Sequence, residues 1–344
     1  MKRLVFCCLA SLALYWAGFA WVLDRPLSLG LLRVEMQQKL ARGARLPSPK
    51  LVILAGSNAP YSHSCAVIGA MLRLPCENAG VAVGIGLDDL FARWTPLLHR
   101  GDILYLPMEV QQYTVSRAEN RMNVDGGMLF RHDPRLLARL GPGRLLGGAF
   151  ANTLPDGLEA LAEMTVHRLG LGHPRALLAA EFDPQGDRIG TTAATADPAF
   201  LAKLRRIEPP AAAITSGYGT RLIAAFVREE IRHGIIVIGG LPTDFRNVRL
   251  PHADLAALRS VYRRQGGQFL QLPNLSRYPR ADFYDSEDHL MQPCQYRHSI
   301  LIARAMGAML KRPVLPPSPA MRDLAATCPG GTPAARTVAF AGPG

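Results

Sequence analysis

Short apolar segments that alternate with helical patterns are the feature that most constrains the fold of this chain. Residues 51–55, 103–106, 235–238 and 268–272 are short runs rich in apolar residues, as expected of buried strands. Because such strands are apolar on both faces, helices must cover both sides of the sheet that they form. The pattern predicts a three-layer α/β/α fold with a central parallel sheet.

Helical patterns occupy the intervals between these runs. They cover residues 62–72, 156–170, 222–233, 254–265 and 296–310. A further helix start is predicted at Asp197-Pro198, because aspartate suits the N-cap and proline the first helical position. Glycines close two of the helices just before a strand begins, which is the punctuation of a βαβ unit.

The chain divides into four predicted parts. Residues 1–25 form a signal anchor, residues 26–49 a stalk, and residues 50–310 one α/β domain. Residues 311–344 are rich in Pro, Ala and Gly and lack periodicity, so they are predicted to be a disordered tail.

The N-terminus predicts export. Lys2 and Arg3 precede an apolar run over residues 4–23, about the length that spans a bilayer core. No clear small-residue cleavage site follows, which favours an uncleaved anchor over a cleaved signal peptide. The positive residues precede the span, so the main domain is expected outside the cytoplasm, tethered to the inner membrane.

Cysteine usage is compatible with an oxidising compartment. Four cysteines lie in the exported part: Cys65, Cys76, Cys294 and Cys328. They allow three pairings, among which the short Cys65–Cys76 link is favoured. No zinc-ligand spacing occurs, and no metal or organic cofactor is predicted.

Charge does not predict a nucleic-acid partner. The formal net charge is +12, but the basic residues are scattered, with short pairs such as Arg205-Arg206. No basic stripe interleaved with aromatic residues is present, which disfavours nucleic-acid binding.

The tripeptide Gly56-Ser57-Asn58 follows the first predicted strand. Reactive groups in doubly wound sheets gather at the carboxyl ends of strands, so Ser57 is the candidate nucleophile. Gly56 lets the backbone turn sharply, and the Ser57 N–H would point into the site. Such a tripeptide is also typical of a plain turn.

A serine nucleophile needs a base, and His289 is the candidate. It lies among carboxylates in residues 282–290, beyond the last predicted strand. A carboxylate shortly before the histidine can orient the ring and stabilise the imidazolium. Asp285 is the predicted acid, with Asp282 and Asp288 as alternatives. An acidic loop with one histidine also suits a solvated surface segment.

These segments resemble the SGNH, or GDSL-like, hydrolase superfamily. The closer likeness is to its exported, membrane-anchored branch, which includes the D-alanine transfer protein of teichoic acid synthesis and the alginate O-acetylation proteins. The likeness rests on residues 56–58 (GSN), 78–80 (NAG), 101–109 (GDILYLPME) and 283–290 (FYDSEDHL). It spans about residues 50–305, and the two end blocks are its more specific parts.

The resemblance implies a flavodoxin-like SGNH fold and an oxyanion hole. The hole would use the N–H groups of Ser57 and Gly80, and the Asn58 side chain as a further donor.

The chain departs from the family pattern at two places. Ser286 occupies the position three residues before the histidine, where the general family has Asp. The third block normally contains an Asn, whereas this chain has Glu109, Gln111 and Gln112. The second departure leaves the oxyanion hole only partly assigned.

Three functions are considered. The first is a serine esterase or O-acyltransferase that acts on a small ester or an acylated envelope polysaccharide, with an envelope polysaccharide machinery as its expected partner. The second is a non-catalytic, membrane-tethered scaffold of such a system. The third, a phosphate- or nucleotide-binding protein, lacks a glycine-rich phosphate loop after the first strand.

Overall fold

The computed structural model describes residues 1–22, 28–151, 154–171, 181–205 and 209–330. Within these ranges the strands are β1 (Leu51–Ile53), β2 (Cys76–Asn78), β3 (Ile103–Leu106), β4 (Ile236–Gly239), β5 (Asp244–Phe245), β6 (Gln268–Phe269) and β7 (Arg277–Tyr278). Each of the first four includes or adjoins a glycine- or proline-marked turn, as short buried strands commonly do.

The helices of the described residues follow. They are α1 (Lys2–Val22), α2 (Ser28–Arg45), α3 (Asn58–Ser62), α4 (Cys65–Leu72), α5 (Leu87–Trp94), α6 (Val110–Thr114), α7 (Arg117–Arg121), α8 (Asp125–His132), α9 (Pro134–Arg139), α10 (Pro142–Ala149), α11 (Leu154–Arg168), α12 (Pro198–Lys203), α13 (Ala211–Ser216), α14 (Tyr218–Arg232), α15 (His252–Arg263), α16 (Gln292–Leu310) and α17 (Pro319–Ala326).

The central sheet has five strands in the order β2-β1-β3-β4-β6. Every neighbouring pair is parallel, and Leu51 of β1 is in register with Cys76 of β2 and Ile103 of β3. The predicted α/β fold with a parallel central sheet is therefore confirmed. The strand order reverses between β1 and β3, and in such sheets ligands bind beyond the carboxyl ends of the strands at that point.

The helices form two groups that fit right-handed connections. Helices α4 and α16 pack on each other, and α14 packs on both α5 and α15. A right-handed crossover puts the β1–β2 connection on one face of the sheet and the β3–β4 and β4–β6 connections on the other. The core between them is apolar and includes Trp94, which is 1% exposed.

Helix α1 covers the apolar run at the N-terminus. Its Trp16 indole donates to the carbonyl of Ala149 at 3.2 Å. Among the residues that the structure describes, no helix is both long and apolar enough to cross a membrane.

The predicted stalk is instead a helix packed on the domain. In α2, Met36 is 2% exposed, and the Lys39 ammonium pairs with Glu35 at 2.7 Å. The Arg42 guanidinium donates to the Cys76 carbonyl at 2.7 Å and also pairs with Glu77. The stalk prediction is therefore wrong for residues 28–45, because charged side chains of α2 bind the backbone and carboxylate of β2.

The predicted disordered tail is wrong for residues 311–330. Helix α17 packs against α16, and a Cys294–Cys328 disulfide ties the two segments together. The Gly330 N–H also donates to Asp282 at 2.7 Å. Residues 331–344 lie outside the described residues. A second disulfide joins Cys65 to Cys76, which confirms the favoured pairing.

Candidate active site

Gly56 lies at the turn between β1 and α3, in close contact with a carboxylate. A Cβ atom at Gly56 would lie 2.6 Å from Glu109 Oε1 and 2.7 Å from the Val83 nitrogen. No larger residue fits without moving the backbone of one of these segments. Ser57, which follows, is half-buried and is the residue immediately before α3.

Glu109 holds the backbone on both sides of Ser57. It follows β3, is 1% exposed, and accepts from the N–H groups of Gly56 and Asn58, both at 2.8 Å. Burial raises the pKa of Glu109, while the two backbone N–H groups and nearby His289 act to lower it. The carboxyl group therefore fixes the direction in which Ser57 leaves the turn. The sequence places Glu109 just past a buried strand, but nothing in the sequence indicates that its carboxyl group binds the backbone around Ser57.

Asn58 is part of the packing beneath the turn. Its side chain is fully buried and donates to the Pro107 carbonyl at 2.9 Å. Its amide oxygen accepts from the Thr243 hydroxyl at 3.0 Å and from the Thr243 N–H at 3.2 Å. The prediction that the Asn58 side chain donates to an oxyanion is therefore wrong, because the side chain is enclosed and already engaged.

Gly80 lies against the same turn. A Cβ atom there would be 2.4 Å from the Ala59 Cβ and 2.5 Å from the Gly56 oxygen, so only glycine permits this approach. Its carbonyl accepts from the buried Lys39 ammonium. Within the described part of the chain, the N–H groups of Ser57 and Gly80 donate to no other group. Two backbone donors are thus available beside Ser57.

His289 and Asp285 form a hydrogen-bonded pair. Their Nδ1 and Oδ1 atoms are 2.6 Å apart, and the His289 and Asp285 side chains are 15% and 43% exposed. The chain folds back between Phe283 and Leu290, so the pair lies at the tip of a turn. Asp282, one of the alternative acids, is instead buried and pairs with Arg297.

Contacts with α3 position this turn. The Ser62 hydroxyl donates to the Asp288 carbonyl at 2.6 Å, and the Thr243 hydroxyl oxygen lies 3.0 Å from the same carbonyl oxygen. The His289 ring stacks on the Tyr61 ring, with centroids 3.8 Å apart. The Tyr61 N–H donates to the Ser57 carbonyl at 3.3 Å, so Ser57 and Tyr61 lie one helical turn apart.

The structure thus places Ser57, Gly80 and the Asp285–His289 pair around the short helix α3. No hydrogen bond joins the Ser57 hydroxyl to His289 within the described residues. Catalytic hydrogen bonds are often long or absent before substrate binds.

A cleft of about 400 Å³ adjoins the turn. Val83, whose backbone nitrogen faces Gly56, forms part of its wall. We call this cavity the amide cleft. Its polar lining comprises Gln111, Gln112, Thr114, Glu119 and Asn123. Amide and hydroxyl groups both donate and accept hydrogen bonds, which suits a ligand rich in hydroxyl groups.

A buried pair of histidines lies beneath the site. His63 is fully buried, with its Nε2 3.2 Å from that of His298. The second nitrogen of His298 contacts the Tyr278 hydroxyl at 2.7 Å. Burial lowers the pKa of His63 to about 3 and that of His298 well below its ordinary value. Both rings are therefore neutral at neutral pH.

The fold and site define an α/β protein whose polar groups gather beyond the carboxyl ends of β1 and β3, where the strand order reverses. Comparison with known protein families, with curated proteins and with solved structures finds no match to the chain.

Proposed function

We propose that the chain is a serine-dependent acyl-ester hydrolase or O-acyltransferase of the SGNH type. The observation that carries the proposal is the His289–Asp285 hydrogen bond of 2.6 Å, on a ring stacked over the helix that Ser57 precedes. A histidine oriented by a carboxylate beside a serine at a strand end is the arrangement that nucleophilic acyl transfer requires.

In the proposed reaction, the Ser57 hydroxyl attacks the ester carbonyl and His289 Nε2 takes its proton. Asp285 holds Nδ1 of the ring and stabilises the imidazolium. The N–H groups of Ser57 and Gly80 donate to the oxyanion of the tetrahedral intermediate. When the intermediate collapses, His289 returns the proton to the leaving alcohol and an acyl-serine remains. Water or a glycan hydroxyl then gives its proton to His289 and attacks the acyl carbon. The bond from that carbon to Ser57 Oγ breaks, Ser57 takes the proton back from His289, and the acid or the new ester leaves.

The proposed substrate is an acylated envelope polysaccharide or exopolysaccharide outside the cytoplasm. Two disulfides support an oxidising compartment. The single-pass anchor in the inner membrane is proposed from the sequence alone, because Lys2 and Arg3 precede the apolar run of residues 4–23. The amide cleft, whose wall includes Val83 next to Gly56, supports a polyhydroxylated ligand.

Labelling with a fluorophosphonate probe tests the proposal, because the probe reacts only with an activated serine. The full-length chain in detergent would be compared with Ser57→Ala and His289→Ala. Ser216→Ala and His252→Ala, on the exposed surfaces of α13 and α15, are matched controls. We expect labelling of the wild type and of both controls, and loss in the two site variants. Hydrolysis of 4-nitrophenyl acetate should follow the same order.

Glu109 supports one competing function, that of a non-catalytic scaffold. A buried carboxyl group lies where the resemblance calls for an Asn donor, and its negative charge would oppose an oxyanion nearby. A folded wild-type chain that neither reacts with the probe nor cleaves the ester would favour this scaffold.

A further inference from the structure

A second cleft, of about 470 Å³, lies between the segments that follow β5 and precede β7. Four arginines line it, namely Arg246, Arg249, Arg277 and Arg297, and no carboxylate does so among the described residues. We call this feature the arginine cleft. Four guanidinium groups around one cavity make a strongly positive surface.

The two inner arginines are held in place from behind. Arg277 and Arg297 are 7% and 9% exposed. Arg277 lies 3.4 Å from Asp244, and Arg297 pairs with Asp282. Both carboxylates are fully buried, so they orient the guanidinium groups without forming part of the cleft wall.

The two outer arginines add charge at the rim of the cleft. Arg246 and Arg249 are exposed, and neither comes within ion-pair distance of a carboxylate among the described residues, although the Arg246 charge helps to lower the pKa of the buried Asp282. The Arg246 N–H donates to the Tyr278 carbonyl at 2.7 Å, which fixes its backbone beside the inner pair. Two of the four positive charges are therefore available to a ligand.

Part of the cleft wall is apolar. It includes Val248, Leu250 and Leu275, and the whole cavity has the volume of a small-molecule site. Leu275 and Ser276 both have positive φ angles, near 53° and 56°, and the Asn274 side chain bonds the Ser276 N–H and the Arg277 carbonyl. This turn holds Arg277 against the cavity.

The arginine cleft lies at the same edge of the sheet as the candidate active site. Its two segments follow the carboxyl ends of β4 and β6, as Ser57 and Glu109 follow β1 and β3. Thr243, between β4 and β5, bonds both Asn58 and the Asp288 carbonyl. A ligand long enough could therefore contact both regions.

We propose that the arginine cleft binds an oxyanion group, a carboxylate or a phosphate, carried on a sugar-sized organic body. Guanidinium forks match both oxyanions by paired, charge-assisted hydrogen bonds, and the apolar wall receives the face of the attached ring. The inference does not depend on serine chemistry at Ser57.

Titration calorimetry with the full-length chain tests the inference, with glucuronate and glucose 1-phosphate as probes and glucose as the neutral reference. Ser57→Ala would be used as the host, so that no reaction at the serine affects the binding signal. We expect at least one acidic sugar to bind more tightly than glucose. The tighter of the two identifies carboxylate or phosphate as the recognised group.

Variants then assign the binding to the cleft. Arg246→Gln with Arg249→Gln should weaken it about tenfold, because two charge-assisted contacts are lost. Arg228→Gln with Arg264→Gln removes the same charge from exposed positions on and just after other helices and should leave affinity unchanged. Arg246→Lys with Arg249→Lys keeps the charge and should bind at an intermediate level.

Two results would overturn the inference. The first is a wild-type cleft that binds neither acidic sugar more tightly than glucose. The second is a control pair that weakens binding as much as the cleft pair does, since general surface charge would then explain the signal. Probe labelling at Ser57 is measured separately, so either proposal can fail alone.

Discussion

The imidazole ring of His289 stacks on the phenol ring of Tyr61, with centroids 3.8 Å apart and planes inclined by 11°. Tyr61 belongs to α3, the helix that begins after Ser57. The proposed base, His289, and the proposed nucleophile, Ser57, therefore both adjoin this short helix. The stack limits rotation of the imidazole and complements the hydrogen bond that its Nδ1 makes to the Asp285 carboxylate.

Removal of the stack should slow the serine reaction. Tyr61→Ala should lower the rate of probe labelling by about tenfold, since an aromatic pair contributes about 0.5–1.5 kcal/mol beyond its buried area. Tyr61→Phe keeps the ring and should retain the wild-type rate. Equal rates for the Ala and Phe variants would mean that the stack does not position His289.

Asp285 should matter for rate and little for stability. Asp285→Asn should reduce ester hydrolysis by about 10³–10⁴-fold, because the ring would lose its orienting carboxylate. The Asp285 side chain is 43% exposed, so the melting temperature should change little. Glu287→Gln, in the same turn, is the matched control. Activity of Asp285→Asn near the wild-type level would remove Asp285 from the mechanism.

Glu109 should affect both folding and reactivity. In Glu109→Gln, one carboxyl oxygen becomes an NH₂ group, which cannot accept from the N–H of Gly56 or Asn58. The free energy of unfolding should fall by about 1–3 kcal/mol, the cost of a buried donor left without its acceptor. Urea unfolding measures this change, and probe labelling reports the accompanying loss of Ser57 reactivity. A variant as stable and reactive as the wild type would refute the positioning role.

The buried histidines should make folding sensitive to acid. Both have a lowered pKa in the folded state, to about 3 for His63. The unfolded chain therefore takes up protons first, and the stabilising contribution of the neutral pair is lost as the pH falls below about 6.5, the ordinary histidine value. Each histidine should lower the free energy of unfolding by about 1.4 kcal/mol for each unit by which the pH falls between about pH 6 and pH 4.

A variant separates the effect of the histidines on stability from the effects of other buried groups. One such group is Glu77, because burial raises its pKa to about 8. His63→Gln should unfold with a shallower dependence on pH than the wild type over that interval. Denaturant midpoints at several pH values provide the measurement. Parallel pH profiles for the two proteins would show that His63 does not carry the acid sensitivity.

The Cys294–Cys328 disulfide should stabilise the C-terminal segment. It closes a loop with a sequence separation of 34 residues, for which chain entropy predicts about 3–4 kcal/mol. Cys294→Ser with Cys328→Ser should lower stability by about that amount in urea unfolding. The loop closed by Cys65–Cys76 spans 11 residues, so the equivalent double variant should lose less. The reverse order would contradict the loop-length argument.

The sheet could be predicted where its strands are apolar, as in β3 and β4, because both faces are covered. Strand β2 could not, since it contains Glu77 and Asn78 and depends on distant partners. Arg42 pairs with Glu77, and Asp187 accepts from the Asn78 amide at 2.9 Å. Local periodicity carries no information about contacts of this kind.

The residues that meet at the site could be predicted in part, because the carboxyl ends of parallel strands lie at one edge of the sheet. That reasoning selected Ser57 and the Asp285–His289 pair, whereas Gly80 came from the resemblance to the SGNH family. The clamp of Glu109 on Gly56 was not predictable, because it depends on the approach of a carboxylate 53 residues away. The C-terminal segment does carry a local signal, since Ser318-Pro319 is a helix start and the Ser318 hydroxyl accepts from the Met321 N–H.

The bond from the Ser62 hydroxyl to the Asp288 carbonyl joins positions 226 residues apart. During synthesis, the segment with Ser57 emerges from the ribosome long before the turn with His289. The two can therefore come together only when nearly the whole domain has left the ribosome and folded. Under the proposed mechanism, an unfinished chain would hold a serine without its base and would have no activity.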